Sequence, residues 1–167
     1  MKLQIDQKWQ SDSVLFAFIE NKIINKNLSD KFRENYLSAL KNNDENYMKN
    51  VIDDFKENSS LFIYDTLDYK SDIDINFFIE FLEKIENFYK KSISWEFYYF
   101  RYYQYLTFLY SFIFFSLKDN DWFKEDYLKY IKNNVLKRWS DLDIQKQLDN
   151  DFNRIWYWMA TGSWKTI

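Results

Sequence analysis

The chain has 167 residues, of which 47% are apolar, 29% charged and 23% aromatic, a mixture that fits one globular domain burying about two thirds of its unfolded surface around a ring-rich core. With no Cys and no His, it excludes disulfides, zinc sites of the N/S kind, haem ligation through His and Ser-His or Cys-His catalysis, and leaves a metal only oxygen ligands. A net charge of −3 with a pI of about 5.1, its Lys and Arg interleaved with Asp and Glu, gives no general attraction for nucleic-acid phosphate.

Zero Pro and a single Gly leave the turns to Asn, Asp and Ser, which favours helices joined by short polar connections. The expected fold is therefore all-α, an irregular multi-helix bundle over residues 1–153 with at most one short C-terminal strand. The start is polar and lacks the apolar run of a secretory signal, so the expected location is cytoplasmic. Ser13 is placed to cap a first helix carrying Val14, Leu15, Phe18, Ile19, Ile23 and Ile24, ended by the polar residues 25–27. Ser29 is placed to cap a second, with Phe32, Tyr36, Leu37 and Leu40 on one face and residues 41–44 closing it. These two are expected to form a helical hairpin. A third follows from Asp44, burying Tyr47, Met48, Val51, Ile52 and Phe55 until Asn58, Ser59 and Ser60 break the period. Residues 61–67 include Phe62, Ile63 and Tyr64, which suit a strand, but no strand partner is evident nearby and a turn or helical fragment is expected instead.

Over residues 74–90 the positions Phe78, Phe81, Leu82, Ile85, Phe88 and Tyr89 make a helix stripe, with Glu80, Glu83, Lys84 and Glu86 assigned to water. Residues 94–117 carry aromatics on every side, from Trp95 and Phe97 to Phe114 and Phe115, which marks a helix buried in the bundle. A membrane span is not expected, because the uncharged run 102–117 is shorter than the roughly 20 residues a bilayer needs. Asp121 is placed to cap a helix with Tyr127, Leu128, Ile131, Val135 and Leu136, and Ser140 with Asp143 to open a last one. Lys132, Lys137 and Arg138 add local positive charge, offset by Asp126, Asp141 and Asp143. The spacings Asp6 to Lys8 and Asp54 to Lys56 read as helix-surface charges rather than nuclease groups, and the pairs Asp53 with Asp54 and Asp72 with Asp74 have no pocket or pKa-shifting neighbour in the sequence pattern that would make them acid–base groups. No catalytic residue is assigned.

The last residues have another character. Met159 to Thr166 has the length and order of a phosphate-binding loop, in which backbone N–H groups wrap phosphate, a lysine reaches the β and γ phosphates and the final hydroxyl ligates magnesium. The aromatic and β-branched run 154–159 before it suits the short buried strand such a loop needs. Leu148, Phe152, Ile155, Trp156 and Met159 also fit a helix stripe, so strand and helix both stay open there.

The wording Trp158, Met159, Ala160, Thr161, Gly162, Ser163, then Lys165 and Thr166, resembles motif I of superfamily 2 helicases, the DEAD/DEAH-like helicase subunits of restriction systems above all. The resemblance covers about 14 residues at the C-terminus. It implies that residues 1–153 are a helical N-terminal domain and 154–167 the first strand and phosphate loop of an ATPase core that stops after the loop. It implies ATP and Mg²⁺ as ligands, with Gly162 and Ser163 against phosphate oxygens, Lys165 on the β and γ phosphates and Thr166 on magnesium. Duplex DNA would be the partner of the intact family, and the rest of a helicase, or another protein, the partner of the helical segment. Trp164 stands where the family has its second glycine, and its side chain would occupy the nucleotide's space, so this chain by itself is expected to be inactive with no bound cofactor. The alternative is an all-helical cytosolic interaction module that binds no nucleotide.

Overall fold

Polar punctuation sets the helices. In a computed structural model, residues 15, 17–93 and 99–134 are described, and they form an all-α fold. A π-helical turn, Ile19–Ile23, precedes α1 (Lys26–Asn42) and α2 (Glu45–Glu57). Short 3₁₀ turns at Ser59–Phe62 and Lys70–Asp72 lead to α3 (Ile75–Ile93), α4 (Tyr102–Leu117) and α5 (Asp121–Asn134). Among the described residues no helix is long and apolar enough to cross a membrane.

The helical hairpin is α1 with α2, one helix later than the sequence suggests. Asn43 takes the left-handed conformation, φ 51°, and the Asp44 N–H reaches back 3.2 Å to the Ala39 carbonyl, which satisfies the end of α1. Asp44 then caps α2, its Oδ1 accepting from the Tyr47 N–H at 2.8 Å. Ser29 is not the cap of α1. The helix begins three residues earlier, after Asn25, and Ser29 is buried in its first turn. The predicted first helix is likewise cut short, because Ile24 leaves the helical path and pairs with Ile63 in an isolated antiparallel bridge. Asn25 N–H donates to the Phe62 carbonyl at 2.7 Å and Tyr64 N–H to the Ile23 carbonyl at 2.9 Å. That bridge answers the ambiguity of residues 61–67. The partner sequence lay in a stretch whose apolar spacing reads as helix.

The chain divides into two compact units. In the unit spanning 20–117, α1 packs on α2 and α4, and α3 on α4. Its centre is Phe32, stacked on Phe55 with ring centroids 4.5 Å apart and meeting Phe62 and Tyr105 edge-on at 6.4 and 6.0 Å. Phe100 extends this cluster, meeting Tyr105, Tyr89 and Phe108 at 5.8, 5.2 and 5.3 Å. Met48, Val51, Ile52 and Phe55 of α2 are buried as expected, whereas Tyr47, Leu37 and Leu40 are exposed. On α1 the inner face is Ser29, Phe32, Tyr36 and Ala39, which leaves Leu37 about a third of a turn from its centre and Leu40 at its edge.

The aromatic helix starts at Tyr102 rather than near residue 94, and residues 94–98 lie outside those described. The backbone N–H of Arg101 donates to Gln104 Oε1 at 2.8 Å, half of a capping box, and Phe100 spends its carbonyl on the Tyr36 hydroxyl at 2.7 Å. Tyr105, Leu109, Ile113, Phe114 and Leu117 are fully buried, as an all-round apolar helix requires.

In the other unit, the described residues are 15, 17–19 and 118–134. Phe18 meets Phe123, Tyr127 and Tyr130 of α5 with centroids 5.5, 5.2 and 5.4 Å apart. Asn120, not Asp121, caps α5, accepting from the Phe123 N–H at 3.0 Å. Phe123 joins Tyr127 and Ile131 as the buried face, while Leu128 stays half-exposed. The helix expected after Ser140 and the strand or helix at 154–159 lie outside the described residues.

Candidate functional site

The residues assigned by resemblance, Gly162, Ser163, Lys165 and Thr166, lie outside the described residues, as do Asp6 and Lys8. The acidic pairs that are described come to no common site. Asp54, Asp72 and Asp74 are exposed. Asp54 and Asp74 serve the backbone and local turns, Asp54 accepting from Asn58 Nδ2 at 2.8 Å and Asp74 capping α3 through the Phe77 N–H at 3.0 Å. Among the described residues no cluster of three or more metal-ligating side chains forms.

Two other features stand out, both involving α3. The first is a buried polar knot. Glu86, assigned to water from its charge, is only 9% exposed. Its Oε2 accepts from Lys56 Nζ at 2.5 Å and its Oε1 from the Tyr105 hydroxyl at 2.7 Å. Lys56 comes from α2, Glu86 from α3 and Tyr105 from α4, so one carboxylate ties three helices together. A signal for it existed in the sequence: Glu86 lies four residues after Leu82, and Lys56 four after Ile52, each continuing a buried row.

Electrostatics at the knot act on the Tyr105 phenol. Burial, the Glu86 charge and its hydrogen bond together push the Tyr105 phenol far above its ordinary value. Tyr99 is raised too, by partial burial first and then by the carboxylates of Glu45, Asp53 and Glu86. Tyr105 is thus a donor and never a base near neutral pH. The knot holds α2, α3 and α4 in position through these two hydrogen bonds.

The second feature is the outward face of α3. Phe78 and Leu82 are fully buried, but Phe77, Phe81 and Phe88 are 55%, 42% and 66% exposed. Phe81 and Phe88 were expected in the core with Phe78. Instead, the helix carries two apolar rows about 100° apart, and only one of them faces the bundle. Phe77 keeps a tilted contact with Phe112 at 6.0 Å, and Phe88 an edge contact with Tyr89 at 6.0 Å. Glu80 and Lys84 flank the row, 4.0 Å apart and largely exposed. These exposed aromatics are gathered in one row rather than scattered.

Scans against protein-family models, curated proteins and solved structures find no match to this chain.

Proposed function

We propose that this chain comprises the helical N-terminal region, through motif I, of a restriction-type superfamily 2 helicase, an ATP-driven translocase on duplex DNA. What carries the proposal is the wording from Trp158 to Thr166, in which Gly162, Ser163, Lys165 and Thr166 occupy the positions that hold phosphate and magnesium in that family. The all-α body fits a region that supports a motor and supplies none of its chemistry. By the same reading the site of action is the cytoplasm. Trp164 fills the place of a glycine beside the phosphates, so the chain alone is non-catalytic and binds ATP–Mg²⁺ no better than about millimolar. Titration calorimetry with ATP and MgCl₂ tests this. Trp164→Gly is expected to tighten binding about tenfold, a gain that Lys165→Ala removes by deleting the lysine that reaches phosphate. Unchanged affinity in Trp164→Gly overturns the assignment of the loop, and micromolar binding by the unaltered chain overturns its description as impaired.

A second reading is favoured by one observation, the exposed phenylalanine row of α3: the helical body is an interaction module that needs no nucleotide. A photo-crosslinking amino acid placed at Phe77, Phe81 or Phe88 in the producing cell is expected to give protein adducts that the same group at exposed Lys31 does not. Equal labelling at both places removes this reading.

A further inference from the structure

We propose that the outward face of α3 is a self-association surface, on which two copies of this chain pair their α3 helices antiparallel about a two-fold axis. Phe77, Phe81 and Phe88 form the seam, and Glu80 of each copy lies beside Lys84 of the other. The inference goes beyond the helicase reading and stands whether or not the loop holds nucleotide.

Helical geometry defines the seam. At about 100° per residue, Phe88 and Phe81 lie roughly 20° and 40° from Phe77, so the three rings share one narrow stripe about 17 Å long. Phe78, Leu82 and Glu86 are turned a quarter to half a turn away and are buried in the bundle. Two of the exposed rings already have an aromatic neighbour, Phe77 on Phe112 and Phe88 on Tyr89, so pairing has fewer free rotamers to immobilise.

Charge selects the occupant and its direction. Glu80 and Lys84 sit on the same flank of the stripe, and their 4.0 Å separation shows that both head groups run along it. A two-fold axis perpendicular to the helices brings like flanks together. With Phe77 level with Phe88 of the second copy, Phe81 is level with its Lys84, and each Glu80 falls next to an opposite charge. Parallel pairing about a two-fold axis along the helices puts these flanks on opposite sides of the seam, so Glu80 of one copy does not reach Lys84 of the other. The stripe is therefore self-complementary only when reversed. A seam of this length buries less than the roughly 1,600 Å² of a standard interface, which places the dimer in the micromolar range rather than tighter.

Sedimentation equilibrium of the full chain, from micromolar to sub-millimolar concentration, is expected to show a monomer–dimer equilibrium. Phe81→Asp is expected to weaken it at least about 30-fold, as removal of a central aromatic anchor does. Glu80→Lys and Lys84→Glu each weaken it alone, but an equal mixture of the two single variants forms a heterodimer as tight as the original dimer. A role in folding, or the pair within one helix, does not respond to mixing two chains. A wild type that stays monomeric throughout, a Phe81→Asp dimer of unchanged affinity, or a mixture no tighter than either variant overturns the proposal. A monomeric wild type that still crosslinks to other proteins from Phe81 discards the dimer and keeps the interaction module, and the calorimetry of the loop is independent of both.

Discussion

At the scale of single residues, Glu86 accounts for more of the arrangement than any hydrophobic side chain of α3. A carboxylate taken out of water costs several kcal/mol unless every lone pair finds a donor. Here Lys56 and Tyr105 supply the donors, at 2.5 and 2.7 Å. The network fixes the register of α2, α3 and α4, since sliding any helix by one residue would break at least one bond. The same network is weak as a source of net stability, because desolvation offsets most of the attraction. Lys56→Met is expected to cost about 3 kcal/mol, the lower end of the range for stripping one partner from a buried pair, because 15% of the lysine side chain still reaches water. Replacing all three by apolar groups, Lys56→Met with Glu86→Met and Tyr105→Phe, is expected to return stability to within about 1 kcal/mol of the original. Urea unfolding of the single and triple variants measures both, and a triple variant as unstable as the single one would show that the knot itself holds the fold.

At the scale of elements, α4 is the helix the unit cannot lose. Leu109, in its middle, is fully buried, and an unpaired charge there has no solvated alternative. Leu109→Asp is therefore expected to abolish cooperative unfolding of its unit, and amides of the middle of α4 to exchange most slowly with solvent. A cooperative melt near the original temperature in Leu109→Asp would mean that α4 can expose this face. That much was readable from the all-round aromatic pattern of residues 94–117, although the helix begins only at Tyr102, as were the helix starts near Asp44 and Asp74, which depend on local spacing alone. What failed depended on tertiary choice. Phe77, Phe81 and Phe88 form one row and Phe78, Leu82, Ile85 and Tyr89 another, and period alone does not say which row meets the bundle. Ser29 and Asn25 are both good cap residues, and the pairing of Ile24 with Ile63, 39 positions apart, decided between them. Glu86 and Lys56 were judged by charge although their positions continue buried rows. The loop residues Gly162, Ser163, Lys165 and Thr166 rest on motif wording alone.

At the scale of the whole molecule, the two units differ in how the chain builds them. Residues 20–117 form one uninterrupted stretch, whereas the other unit is assembled from stretches on either side of it. A continuous unit closes its contacts without waiting for distant parts of the chain, and loop-closure entropy favours such units as independent folding steps. The described ring cluster of this unit is continuous within the stretch. Phe32, Phe55, Phe62, Phe100 and Tyr105 make their ring contacts with one another, and the Lys56–Glu86–Tyr105 knot draws all three members from the same stretch. A fragment of residues 20–117 is therefore expected to fold alone, with a cooperative urea transition of slope about 1 kcal/mol per molar, as suits its size, and with near-ultraviolet dichroism from its packed tyrosines. The buried phenol makes the test sharper. Tyr105 has a raised pKa in the folded unit, so the unfolded state loses its proton first as the solution becomes alkaline. Stability is then fully present below about pH 10, the ordinary tyrosine value, and falls above it by about 1.4 kcal/mol per pH unit. The fragment should show this alkaline decline and its Tyr105→Phe variant a shallower one. A broad, non-cooperative urea transition in the fragment, or an alkaline limb indifferent to Tyr105, would show that the stretch depends on the remainder of the chain for its core.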